Sequence, residues 1–214
     1  MKIPSLLTAA LLLITGMTAR ASSEQDKVDQ AAAIMQRFRS MPEQEIPQDV
    51  LRQARGLAIL TVVKGGFIWS GRFGNGVVVS RTRHGWSGPS FIRTAGVGFG
   101  AQIGGDVTEF VLVLNTPEAV RAFAEGANVQ LGGALSAAAG PVGRSAEAGV
   151  MPKAAVYTYS RSQGLFAGVS LEGTVIQTNH DANYRYYGGA VSTRAILTGA
   201  ATPPRGASVL MARL

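Results

Sequence analysis

The chain has no cysteine. Disulfides, thiolate metal sites, cysteine nucleophiles and lipid-modified cysteine anchors are excluded together. Histidine is nearly as scarce, with only His84 and His180, too few for a multi-histidine metal site. No Gly-Lys-Ser/Thr phosphate loop and no His-Glu-x-x-His pair occurs, so no nucleotide, metal or other cofactor is expected. Charged residues make up 15% of the sequence against 46% hydrophobic, which excludes disorder over the middle of the chain. No hydrophobic stretch beyond the N-terminus reaches about 18 residues, so no helix is expected to cross a bilayer.

What is abundant is glycine, 27 residues in 214 without a period of three. That excludes collagen and points to many turns and close backbone approaches. Basic residues outnumber acidic ones, 20 to 13.

The N-terminus carries Lys2, an apolar run from Leu6 to Ile14, and Ala19-Arg20-Ala21. These are the three parts of a secretory signal peptide. The pattern predicts cleavage after Ala21, leaving residues 22–214 as the mature domain, periplasmic or secreted; an uncleaved anchor is the alternative. In that location anionic phospholipid, and not nucleic acid, is the partner expected of the positive charge.

Glu24 to Met41 reads as an amphipathic helix, with Val28, Ala31, Met35 and Phe38 at spacings of three and four. Its early acids and the late Arg37 and Arg39 suit the helix dipole. Pro47 opens a short helix, Gln48 to Arg55, ended by Gly56. Leu57 to Val63 reads as a strand, with Gly65-Gly66 as its turn. Phe67 to Phe73 and Val77 to Arg81 are expected to pair around a Gly74-Asn75-Gly76 loop, which sets Trp69 opposite Arg81. Trp86 to Ile92 and Val107 to Leu114 are further strands, and Thr116-Pro117-Glu118 starts a helix that runs to Gly126. Asn128 to Leu131 is a short strand before the Ala- and Gly-rich stretch 132–149. Ala155 to Ser160 and Leu165 to Ile176 are expected as a hairpin, followed by short helices at Ser192–Leu197 and Ala207–Leu214. The fold class is α+β: a mostly antiparallel β-sheet or sandwich-like core with a few flanking helices, in a single domain.

Catalytic patterns are weak. Gly168-Val169-Ser170-Leu171-Glu172-Gly173 is one residue too long for a nucleophile elbow. Ser87, His84 and Asp106 supply the residue types of a triad without supporting spacing. Gly96, Gly98 and Gly100 share one face of an extended segment, which suits close packing better than a ligand groove. Gly140-Pro141-Val142-Gly143-Arg144 is a turn that also has the makings of an anion nest. Lys64, Arg72, Arg81, Arg83, Arg93, Arg144, Arg161 and Arg185 stand at expected loops and strand ends among aromatics. That mixture suits a lipid head-group surface.

A series of blocks carries a family likeness: Val63-Lys64-Gly65-Gly66-Phe67, Gly74-Asn75-Gly76-Val77-Val78-Val79, Trp86-Ser87-Gly88-Pro89-Ser90, Gly140-Pro141-Val142-Gly143-Arg144 and Tyr159-Ser160-Arg161-Ser162-Gln163-Gly164-Leu165-Phe166-Ala167-Gly168-Val169-Ser170-Leu171-Glu172-Gly173. In this order they closely resemble the SYLF domain, a lipid-binding module of bacteria and eukaryotes, from about residue 28 to the end. The resemblance implies binding and not catalysis: anionic lipid, in some members through a basic amphipathic N-terminal helix, and actin filaments in some eukaryotic members. It makes Lys27, Arg37 and Arg39 of the first helix expected lipid-binding residues of a bacterial member, and the placement of basic residues at loops and strand ends adds Lys64, Arg72, Arg83, Arg144 and Arg161. A protein-interaction module with an envelope protein partner is the alternative, and a hydrolase using Ser87 or Ser170 the third reading.

Overall fold

Leu57, Ala58, Ile59 and Leu60 are all buried, odd and even positions alike. Side chains alternate across a strand, so this one must be covered on both faces. The computed structural model, which describes residues 23–40, 46–66, 69–99, 104–126, 128–132, 135–141, 154–162 and 174–214, shows the cover. The strand is β1 (Gly56–Gly66), paired along its whole length with β2 (Trp69–Thr82) and β5 (Gly104–Leu114). Beyond β2 come β4 (Ser90–Phe99), β9 (Val175–Thr178) and β6 (Val129–Gln130); beyond β5 come β8 (Val156–Ser162) and β7 (Ala137–Ala139). β3 (Gly85–Trp86) pairs with the end of β2. Among the described residues every named strand pair is antiparallel except β7 with β8. The architecture is the expected single-domain α+β one.

The odd-numbered face of β1 packs under α1 (Glu24–Ser40) and α2 (Gln48–Gln53), which bring Phe38, Met35, Ile34 and Leu51 against Ile59, Val77, Phe91 and Val111. Ala182 of α4 (His180–Tyr187) and Leu210 of α6 (Ser208–Met211) join the same core. The even-numbered face holds Leu60, Val78, Phe110 and Leu112 against Phe123 of α3 (Pro117–Ala124) and Leu197 of α5 (Thr193–Leu197). Caps agree with the sequence. Thr116 accepts from the Ala119 N–H, Ser192 from the Ala195 N–H, and Gly188 closes α4 at φ 74°.

Three expectations are corrected. Gly74-Asn75-Gly76 is no loop: β2 runs straight through it, so Trp69 and Arg81 lie on one strand and are not cross-strand neighbours. A tight hairpin would need positive φ there, and neither glycine has it. Both glycines answer crowding instead. A Cβ on Gly76 would lie 2.1 Å from the Ile59 carbonyl oxygen, and one on Gly74 would lie 2.6 Å from Thr94 Cγ2. Arg81 finds a different indole, with its guanidinium carbon 4.2 Å from the Trp86 ring centre. Gly65 and Gly66 likewise continue β1. The hairpin expected from Ala155 to Ile176 is not formed by its described parts, because β8 and β9 lie on opposite sides of β1.

Candidate interaction surface on the sheet

The expected lipid-binding residues do not gather. Lys27 stands 3.7 Å from Glu24 on α1, and both side chains are largely covered. Arg37 and Arg161 converge on Glu109 of β5, whose side chain is 5% exposed. Arg39 is exposed and donates to the Arg213 carbonyl at 3.1 Å. Lys64 and Arg72 are directly opposed across β1 and β2, with Asp106 on the other side of Lys64. They project from the even-numbered face, away from Arg37. Arg83 sits in the turn between β2 and β3, at the other end of the sheet. Arg144 lies outside the described residues, as does most of the Gly140–Arg144 segment. Gly140 itself is placed: a Cβ there would lie 2.1 Å from the Tyr159 ring, so the ring demands glycine. The apolar face of α1 is spent on the core, with Val28, Ala31, Ile34, Met35 and Phe38 all buried. A helix so docked does not offer that face to a membrane.

The hydrolase constellation is also corrected. Ser87 is buried, donates to the Gly88 carbonyl and accepts from the Ser80 N–H. Ser80 pairs with Gly56, and Asp106 with Lys64, eight residues further along β1. That separates the two groups by roughly 27 Å of antiparallel strand. Ser170 and its elbow-like segment lie outside the described residues.

What the sheet does assemble is a pair of adjacent rows on the face that α1 covers. The first row is polar: Arg161, Glu109, Thr61, Asn75 and Arg93 are successive cross-strand partners on β8, β5, β1, β2 and β4. The α1 helix reaches down onto it, Arg37 to Glu109 and Gln30 Nε2 to Thr61 Oγ1 at 3.1 Å. Two residues further along the strands, past the helix, lies an apolar row of Val107, Val63, Phe73 and Ala95. Directly opposed residues of antiparallel strands point to one face, so these side chains form a continuous strip. It faces water: Phe73 is 66% exposed, Val63 50% and Val107 38%. The polar row separates the strip from the core. Sequence reasoning missed it because Val63, Phe73 and Val107 look like ordinary strand residues, and only the register shows that they meet beyond the helix.

A family model described as Ysc84, a Las17-binding protein actin regulator, matches residues 95–214, more than half of the chain. The chain belongs to the Ysc84/SYLF domain family. Ysc84 family proteins similar to it include "LAS seventeen-binding protein 3" of Saccharomyces cerevisiae, 49% identical over 76% of this chain and 36% of that protein. "Protein YSC84" of the same yeast is 48% identical over 79% of this chain and 37% of its own length. "SH3 domain-containing YSC84-like protein 1" of Homo sapiens is 44% identical over 83% and 54% respectively. The chain thus spans between about a third and about half of these relatives. The family description and the name of the first of these relatives speak of protein binding. The match to a family described as an actin regulator overturns the expected periplasmic or secreted location, because actin filaments lie inside eukaryotic cells. Among the described residues no helix is long and apolar enough to cross a membrane.

Proposed function

We propose that this Ysc84 family chain is a protein-interaction module, without catalytic activity of its own, whose partner is a protein of the actin-regulating machinery. The observation that carries this reading is the exposed strip Phe73–Val63–Val107, a preformed apolar surface on a rigid sheet beside arginines 37, 93 and 161. Isolated exposed apolar residues need no explanation, but a contiguous row across neighbouring strands suits a protein interface. The names of the relatives support the class of partner.

The test is co-sedimentation with actin filaments and titration with the purified LAS seventeen protein, comparing the wild type with Phe73→Ser. Saturable binding to one of them, weakened at least tenfold by Phe73→Ser, is the expected result. Absence of binding to both, with tight binding to protein-free liposomes, would overturn it.

Adsorption to anionic phospholipid is the second reading. The formal charge of +7 favours it. The proposed contacts are Lys27, Arg37, Arg39, Lys64, Arg72, Arg83, Arg144 and Arg161, with the helix lying on the sheet and not inserted. Arg72, Arg83 and Arg39 serve this reading best, because Arg37 and Arg161 are already engaged by Glu109.

A further inference from the structure

At the other end of the sheet, under α2, a cavity of about 390 Å³ opens to solvent between Arg52, Arg55, Arg81, Gln53, Asn115 and Tyr157. Three arginines line it, and among the described residues no acidic side chain does. Arg81 is held in place by its stack on Trp86 and by donation to the Leu51 carbonyl at 3.2 Å. Those contacts fix the plane of the fork while leaving other N–H groups available. Arg52 pairs with Asp49, one turn away on α2, but both side chains are more than half exposed and the pair is open to competition. Arg55 is exposed, and among the described residues its side chain has no hydrogen bond or ion pair. Among the described residues Arg55 and Arg81 have no carboxylate partner and Arg52 has only the exposed Asp49, and like charges so weakly countered raise the local potential and attract an anion.

The remaining wall groups indicate which anion. Asn115 donates through Nδ2 to the Ala154 carbonyl at 3.0 Å, which leaves its Oδ1 to accept. A phosphomonoester dianion has no hydrogen to donate to that oxygen, whereas a peptide main chain has its N–H groups. The apolar parts of the lining suit methylene stems better than a bare ion. One carboxylate would leave Arg55 or Arg81 without a counter-charge, so more than one acid is called for.

Resting on the reading of the chain as a protein-interaction module, we propose that this pocket is a second docking site, and that it takes an acidic segment of the partner with neighbouring Asp or Glu side chains on Arg52, Arg55 and Arg81.

The test uses the full chain and two fluorescein-labelled capped peptides, hexa-glutamate and hexa-glutamine, followed by anisotropy. The glutamate peptide is expected to bind and the glutamine peptide to bind at least tenfold more weakly. Arg55→Gln should weaken the glutamate peptide about tenfold, the change that follows from losing one charge-assisted contact. Its melting temperature should stay that of the wild type, since among the described residues Arg55 has no side-chain partner to lose. Phe73→Ser should leave peptide binding intact, so failure of the apolar strip and failure of this pocket are read separately. Equal binding of the two peptides, or no effect of Arg55→Gln, would overturn the proposal. So would displacement of the peptide by inorganic phosphate, or by phosphatidylserine vesicles, at equal concentration of anionic groups, which would reassign the pocket to a phosphate ligand.

Discussion

Arg37 of α1 grips Glu109 of β5 through two hydrogen bonds, Nε to Oε2 at 3.0 Å and Nη2 to Oε1 at 2.5 Å. Arg161 approaches the same carboxylate at 3.5 Å. A glutamate this deeply buried is tolerated because two cations share it. Glu109→Gln should therefore cost about 2 kcal/mol of stability, measured by urea unfolding, because it leaves two half-covered guanidiniums facing an amide. A change below 0.5 kcal/mol would show that the helix is held by its apolar face alone.

Gly76 of β2 stands directly opposite Leu60 of β1. Gly76→Ala places a methyl group 2.6 Å from Leu60 Cβ, with backbone behind it. Neither strand can give way without disturbing the ladder, so a loss of about 3 kcal/mol or failure to fold is expected. A variant with wild-type unfolding behaviour would contradict the register.

Phe73 predicts the opposite pattern. It is exposed and does not belong to the core. Phe73→Ser should leave stability within about 0.5 kcal/mol of wild type, while the partner binding proposed above is lost. Unfolding and binding measured on the same preparation check both halves of the statement.

Glu24 supplies a pH signature. Arg185 donates to its carboxylate at 3.0 and 2.7 Å, and Lys27 lies nearby. These cations hold its pKa below the ordinary 4.5. A lowered folded-state pKa gives stability that is fully present above the unfolded value and is lost as the pH falls through the folded one. The wild type should be more stable than Glu24→Gln near neutrality, and the gap should shrink as the pH drops below 4.5. Arg185 is more than half exposed, so the effect is small and salt-sensitive. A gap that stays constant down to the acid transition would mean that this ion pair does not couple to folding.

The periodic parts of the chain were legible. The Val28–Phe38 stripe, the Thr116-Pro117 cap and the strand ending at Leu114 all stand where residue spacing puts them. Gly74-Asn75-Gly76 was misread because glycine serves two purposes, positive φ in a turn and the missing Cβ of a crowded strand. Only the neighbouring strands decide which applies. The strip, the Glu109 cluster and the arginine pocket were invisible for the same reason. Each is made by residues that are far apart in sequence and meet through cross-strand register or under α2, and none has a local pattern. The direction of α1 was also undetermined, since an amphipathic helix shows the same stripe whether it lies on a sheet or on a lipid.

Gln25 of α1 reaches the Gly206 carbonyl at 3.1 Å, and Arg39 reaches that of Arg213. The helix is therefore sewn to segments made 181 and 174 residues later. During synthesis its oily side has no complete seat until the sheet is nearly whole and α6 arrives. Such long-range closure is slow to form. For that interval the nascent protein carries a bare adhesive helix, and a chaperone or a passing surface has its best chance to hold it then, before the seam is stitched shut.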